Sequence, residues 1–290
     1  MPRPARTMMS RSEFEELHTR LRRTDHATVD AANTVAASSL VRTGEVVSAG
    51  EAPAVGPAGP VGRGSPYRLH QWRDQFNDWH AVNDRIELDI HGSPSMTHID
   101  ALCHFGWDGN NHEPVWGGDD LDALADGIAG RGVLLDFARD EALGAVPPGS
   151  VVTPEDIELT LSAQGARVGR GDMLWLRFGR VGKRIARESL GSQAAPGLSI
   201  ECADWLADIS PALVITDCGL DGTPSEVAEV PVPWHILLLT SLRIPIVDLA
   251  NLSTVAAACA EAGRWDFLSV VAPLHLPGAS GSPVNPLAIF

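Results

Sequence analysis

Residues 172–177 have the sequence Asp-Met-Leu-Trp-Leu-Arg, the clearest of several short apolar runs in the second half of the chain. A run of this length, bounded by charged residues, is typical of a buried strand. Similar strands are predicted at 132–136, 212–216, 246–248 and 267–272. Helices are predicted at 154–164, 183–190, 199–208, 233–242 and 253–262. Strands that alternate with helices predict an α/β fold with a mixed sheet.

Two helices are predicted before the first strand. Phe14, Leu17 and Leu21 have helical spacing, and Asp30 can cap an alanine-rich helix within 28–42. Together with a Gly/Pro-rich loop they make an N-terminal extension over residues 1–66.

A single domain is predicted over the remaining residues, 67–290. The Gly/Pro-rich loop that precedes it occupies residues 50–66. Apolar and polar residues alternate over 85–91, which predicts a half-buried strand near the start of this domain.

The composition excludes several classes of protein. The formal net charge is −15, which disfavours binding to nucleic acids and to anionic membranes. The longest apolar runs are far shorter than the roughly 20 residues that span a bilayer. The four cysteines form no Cys-x-x-Cys pair, which is typical of reduced thiols in a cytoplasmic protein.

The densest group of potential metal ligands is His91-Gly-Ser-Pro-Ser-Met-Thr-His98-Ile-Asp100-Ala-Leu-Cys-His104. On an extended segment, His98 and Asp100 point the same way and could bind one cation. A helical turn after Asp100 would bring His104 beside the same site. Imidazole and carboxylate ligands suit zinc, manganese or iron better than calcium. The alternative is a set of ordinary polar residues at the surface.

Two further candidates lie downstream. His235 opens an apolar helix, and Asp248 ends an otherwise apolar strand. A carboxylate in such a run is costly unless it is paired, hydrogen-bonded or bound to metal. The alternative for Asp248 is a structural cap for the residues that follow.

Taken together, these segments resemble the cyclase family of metal-dependent hydrolases, which includes kynurenine formamidase-like and isatin hydrolase-like enzymes. The family signature HxGTHxDxPxH is matched by Thr97-His98-Ile-Asp100-Ala-Leu-Cys-His104, in the form typical of a longer bacterial branch. Residues 171–179 are similar to the family strand GDxLLxRTG, and residues 273–288 are similar to its tail GGTGSPVxPxA. The resemblance covers roughly residues 12–290.

This resemblance implies a swivelling β/β/α-type fold and a divalent metal, zinc or manganese. By the same resemblance, His98, Asp100, His235 and Asp248 would bind the metal and His104 would be the catalytic histidine. A homodimer or homotetramer is also implied.

Two positions depart from the family pattern. The first histidine of the signature falls on Pro94, which cannot bind a metal through its side chain. His91 is the nearest substitute, as an additional ligand for metal or substrate, and reaches the site only if the loop bends back. The distal acid is Asp248 where the family usually has a glutamate. The missing histidine favours one ion over two.

The expected reaction is hydrolysis of an amide, lactam, lactone or ester of a small cyclic or aromatic metabolite by metal-activated water. Near neutral pH, His104 would transfer the proton. Trp72, Phe105 and Trp107 are candidates for the walls of a substrate pocket, although each could simply pack in the core. Two alternatives remain: a cyclase that runs the reverse ring closure, and a non-catalytic binding protein with a decayed metal site.

Overall fold

The computed structural model describes residues 8–23, 28–51, 67–91, 96–107, 121–139, 144–179 and 194–290. The predicted helix at 183–190, Pro94 and most of the loop at 50–66 lie outside these ranges. The predicted domain boundary after residue 66 also falls there and stays a prediction.

The N-terminal part contains helices α1 (Arg11–Leu21) and α2 (Ala31–Ser38) and strand β1 (Val46–Ser48). Ser10 and Asp30 cap the two helices by accepting hydrogen bonds from backbone N–H groups, as predicted for Asp30. Phe14 and its helical neighbours are buried, so α1 packs against the main core. Strand β1 forms one edge of the main sheet.

The remaining elements follow the predicted alternation of strands and helices. The strands are β2 (Tyr67–Phe76), β3 (Trp79–Leu88), β4 (His98–Asp100), β5 (Ile128–Asp136), β6 (Val151–Val152), β7 (Met173–Arg177), β8 (Gly197–Leu198), β9 (Leu213–Thr216), β10 (Ile246–Asp248), β11 (Asp266–Val271), β12 (Gly281–Pro283) and β13 (Leu287–Ile289). The helices are α3 (Pro154–Gln164), α4 (Ala203–Ile209), α5 (Pro233–Ile236) and α6 (Leu252–Ala262).

Among the described residues, nine strands form one mixed sheet in the order β1-β13-β11-β5-β7-β9-β10-β4-β12. The four central strands, β5, β7, β9 and β10, are parallel. The strands on both sides of them pair antiparallel. The predicted α/β class with a mixed sheet is therefore confirmed.

The sheet separates two hydrophobic cores. In β7, Leu174 and Leu176 face one core, whereas Met173 and Trp175 face the other. Both faces of the strand are covered, which explains why its sequence is continuously apolar. None of the described helices is both long and apolar enough to cross a membrane.

Three predictions require correction. The predicted helix at 199–208 is a 3-10 turn, Ile200–Cys202, followed by α4. The predicted helix at 233–242 is α5 followed by a π-helix, Leu237–Leu242. The predicted strand at 85–91 is shorter: β3 ends at Leu88, and among the described residues it pairs with β2 in a two-stranded hairpin outside the main sheet. Ile86 is 54% exposed and Leu88 only partly buried, so the alternating apolar residues do not form one buried face.

Candidate metal centre

The register of three strands brings distant residues of the sequence together. Strand β4 lies between β10 and β12, and His98 is paired directly with Asp248 across the antiparallel ladder. Residues i and i+2 share a face, so Asp100 joins them, while Ile99 enters the core on the opposite face. Helix α5 supplies His235.

Four of the predicted ligands form one cluster. The Nε2 atom of His98 is 3.4 Å from Oδ1 of Asp100. The Nε2 atom of His235 lies 3.2 Å from Oδ2 of Asp248 and 3.7 Å from Oδ2 of Asp100. Two imidazoles and two carboxylates from three separate segments therefore converge.

The rings of His98 and His235 have fixed orientations. The Nδ1 atom of His98 is 2.9 Å from the carbonyl oxygen of Met96, so Nε2 faces Asp100. The Nδ1 atom of His235 contacts the carboxylate of Asp221. In each ring, the outer nitrogen is held by an oxygen and the inner nitrogen faces the cluster, as in many metal-binding histidines.

His91 also reaches the site. Its Nε2 atom is 3.1 Å from Oδ1 of Asp100. The ring stacks on His104 with centroids 3.7 Å apart. His104 ends the 3-10 turn Leu102–His104, so the expected helical turn after Asp100 is present. Residues 92–95, which connect His91 to the strand, lie outside the described ranges.

Two groups of residues could each hold a metal ion, namely His91, His98 and Asp100, and Asp100, His235 and Asp248. Within each group the ligand atoms lie within 4.8 Å of one another. Among the described residues, neither oxygen of Asp100 accepts a hydrogen bond, nor does Oδ1 of Asp248. Asp100 is 1% exposed. Buried carboxylate oxygens that face imidazole nitrogens without a well-formed hydrogen bond fit a cation.

The charges of the cluster influence one another. Burial raises the pKa of Asp100, but the surrounding imidazoles outweigh it and the net pKa is below the usual value. Burial lowers the pKa of His235, but Asp248 and Asp221 outweigh it and hold the pKa well above normal. Burial lowers the pKa of His104 to about 4. His104 is therefore neutral at pH 7 and able to accept a proton.

The three aromatic candidates occupy different places. Phe105 contacts both His104 and His235, with ring centroids 4.7 and 5.3 Å apart, so it lies at the site. The ring contacts described for Trp107 are with Phe14 and His18 of α1. Trp72 belongs to the hairpin of β2 and β3 and is 48% exposed.

The motifs of the sequence do not identify Asp221. Its only signal in the sequence is an acidic residue in a glycine-containing loop, 13 positions before Trp234 at the start of a helix that opens with proline. Its contact with His235 depends on how the loop folds back onto α5.

The sequence of this chain matches a known protein family. A family model described as "Putative cyclase" matches residues 28–220. The chain belongs to this cyclase family, and the resemblance noted from its motifs is confirmed.

Solved structures of related fold cover most of the chain. A structure described as a novel cyclase is 26% identical, with a TM-score of 0.74, and the match covers 90% of this chain and 94% of that one. Isatin hydrolase A from Ralstonia solanacearum is 18% identical with a TM-score of 0.61, over 92% and 98% of the two chains. A predicted metal-dependent hydrolase from Bacillus stearothermophilus is 17% identical with a TM-score of 0.50, over 84% and 97%. No curated protein matches the sequence significantly.

Proposed function

We propose that the protein is a metal-dependent hydrolase that cleaves an amide, lactam, lactone or ester bond in a small cyclic or aromatic metabolite. The observation that carries this proposal is the buried carboxylate of Asp100, which is surrounded by imidazole nitrogens and belongs to both candidate metal-binding groups. Membership of the cyclase family and the similarity to a protein described as an isatin hydrolase support the same reaction class.

The proposed ligands are His98, Asp100, His235 and Asp248, with His91 as an additional ligand for metal or substrate. Nitrogen and carboxylate donors favour zinc or manganese. A divalent ion bound there would supply Lewis acidity and would lower the pKa of a water molecule toward neutrality.

His104 and Phe105 would transfer the proton and position the substrate. His104 stacks on His91 and is neutral at pH 7, so its ring can take a proton from the attacking water and return it to the leaving group. Phe105 contacts His104 and His235 and offers an apolar wall for a flat substrate. Trp72 and Trp107 stay further candidates for this wall. The net charge of −15 supports a small-molecule substrate over a nucleic acid.

Two other functions would use the same scaffold. A cyclase would run the reaction toward ring closure with the same residues. A binding protein would have lost the metal, and Asp248 in place of the usual glutamate is the described feature that favours it.

Metal analysis and activity assays separate these functions. We expect protein dialysed against zinc or manganese to retain about one equivalent, and to hydrolyse members of a panel of cyclic amides, lactones and aryl formamides. His104→Ala is the matched control, because it should keep the metal and lose turnover. Ring closure without hydrolysis would indicate a cyclase, and metal-free protein after supplementation would indicate a binding protein.

We also propose that the protein is a homodimer or homotetramer, and that the hairpin of β2 and β3 forms the contact. Its exposed apolar side chains include Trp79 at 59%, Ile86 at 54% and Val82 at 53%, and they lie on both faces. A two-stranded hairpin of this kind is marginally stable in water by itself. Its ten-residue strands span roughly 34 Å, so the arm is long enough to pack against a second copy of the chain.

The charge of the hairpin fits a second copy of the chain. Residues 67–88 contain three arginines and four acidic residues, so this arm has a formal net charge of −1, whereas the rest of the chain carries −14. Light scattering after gel filtration should give two or four times 30.8 kDa. Trp79→Asp should lower this mass, while Leu159→Asp, at a similarly exposed position on α3, should not. A monomeric wild-type protein would refute this assembly.

We place the protein in the cytoplasm. The four cysteines form no Cys-x-x-Cys pair, a pattern typical of thiols in a reducing compartment.

A further inference from the structure

We propose that Asp221 is a positioning residue for the metal centre: its carboxylate holds His235 in the tautomer and orientation that present Nε2 to the ion. This inference rests on the proposed metal-dependent function. It assigns a role to a residue that the motifs of the sequence do not identify.

Both oxygens of Asp221 accept hydrogen bonds from the start of α5. Oδ1 accepts from the backbone N–H of Trp234 at 2.7 Å. Oδ2 accepts from the backbone N–H of His235 at 3.4 Å and also contacts Nδ1 of its ring. An ionised carboxylate only accepts hydrogen bonds, so the ring carries a proton on Nδ1, toward Asp221. Nε2 faces Asp248 and Asp100, and a bound ion would take the place of any proton there.

The loop that carries Asp221 is held in an unusual conformation. Gly219 and Leu220 have φ angles of 85° and 61°, and a left-handed conformation is costly for leucine. The backbone N–H of Leu198 donates to the carbonyl oxygen of Leu220 at 2.8 Å, and the N–H of Asp221 donates to Gly219 at 2.7 Å. Strain of this kind persists where the surrounding structure fixes it, and it often marks functional sites.

The same loop passes beside the ligands. A Cβ atom added to Gly219 would lie 3.4 Å from Oδ2 of Asp248 and 3.9 Å from Cε1 of His235. The turn therefore passes directly beside the centre, and Asp221 fixes the ring of His235 on its outer side. The side chains of Asp221 and His235 are only 8% and 12% exposed, so water competes poorly for their contact.

Metal affinity tests this role without depending on turnover. Outer partners of metal-bound histidines typically contribute 10- to 100-fold to affinity. We expect Asp221→Ala to weaken zinc and manganese binding by about 10- to 100-fold in titration calorimetry, with Asp221→Asn in between. Asp156 is a matched control, because it accepts hydrogen bonds from the backbone N–H and hydroxyl of Thr153 at the start of α3 and belongs to neither candidate metal-binding group. Asp156→Ala should lower stability and leave the affinity for metal within about two-fold of wild type.

Spectroscopy of the wild-type protein gives a second test if Asp221→Ala does not fold. In ¹⁵N-histidine spectra of the zinc-loaded protein, assigned with His235→Gln, we expect Nδ1 of His235 to carry a slowly exchanging proton. Unprotonated Nδ1 overturns the inference, and so does wild-type affinity in every folded Asp221 variant. A wild-type protein that binds neither metal would overturn the proposed function as well, so the two failures are distinguishable.

Discussion

Asp100→Asn tests the centre most directly, because Asp100 is the one residue that the two candidate metal-binding groups share. A four-ligand protein site binds zinc with about 10–16 kcal/mol, so one ligand contributes roughly 2.5–4 kcal/mol. At 1.36 kcal/mol per decade, the loss of one carboxylate ligand weakens binding about 10²–10³-fold. The amide keeps the shape of the side chain but removes the charge that the surrounding imidazoles stabilise. The effect on metal binding is therefore measured against the stability of each metal-free protein.

Thermal unfolding and calorimetry both report this change. At one fixed excess of metal, the variant should lose about 2.5–4 kcal/mol of metal-induced stabilisation, which corresponds to about 4–7 °C in Tm for a chain of 290 residues. Asp172→Asn is the matched control: it is also buried but lies before β7, where it accepts from the backbone of Gly169 and pairs with Arg131. That variant should lose stability with and without metal. Unchanged metal affinity in Asp100→Asn would refute the proposed centre.

Three further predictions concern His104 and the sheet. His104→Ala should retain metal and reduce turnover about 10²–10⁴-fold; unchanged turnover would assign proton transfer to another group. Burial lowers the pKa of His104 to about 4 from its usual 6.5, so the unfolded chain binds more protons between these values and stability should fall as pH drops through this window. Because the ring is partly exposed, we expect the unfolding free energy of the wild-type protein to be about 2 kcal/mol lower at pH 4.5 than at pH 7. Chemical unfolding of His104→Gln should not show this loss. Gly132→Ala should cost about 1–3 kcal/mol in urea unfolding, because the new Cβ would lie 2.5 Å from Phe267, whereas Gly169→Ala has room and should not.

The central sheet could be predicted from sequence because its strands are buried on both faces. Trp175 and its neighbours form a continuous apolar run, which indicates a strand that is buried on both faces. The observed strand β7 agrees with this prediction. The capping signal of Asp30 was equally local and equally accurate. In both cases the residues that determine the structure are adjacent in the chain.

The wrong predictions of burial and helix type concern segments whose structure depends on tertiary contacts. Alternation over 85–91 predicts one buried face, but Ile86 and its neighbours belong to a hairpin whose two faces are both exposed. Alternation of apolar and polar residues does not show whether another part of the protein packs against the apolar face of the strand. The π-helix after α5 is similarly invisible, because an apolar run such as Leu237–Leu242 is compatible with several helical geometries.

The candidate site was predictable only in part for the same reason. His98 and Asp100 share a strand, so their spacing alone places them on one face. His91 precedes His98 by seven residues, and only the structure shows that it returns to Asp100. Asp221 has no motif at all, since its role depends on a left-handed turn at Leu220 and on contacts with a helix whose Trp234 lies 13 residues later.

The two halves of the centre are held by different means, and this predicts how each responds to change. His98 and Asp248 are opposite each other in an antiparallel ladder, so their separation follows from backbone hydrogen bonds that a side-chain substitution leaves intact. His235 lies on a helix of one turn, and its ring orientation depends on one carboxylate. Replacing a ligand on the strands should therefore remove only that ligand's contribution. Disturbing the loop at Asp221 should rotate an intact ligand away, so affinity falls although every residue of the proposed metal-binding set is still present.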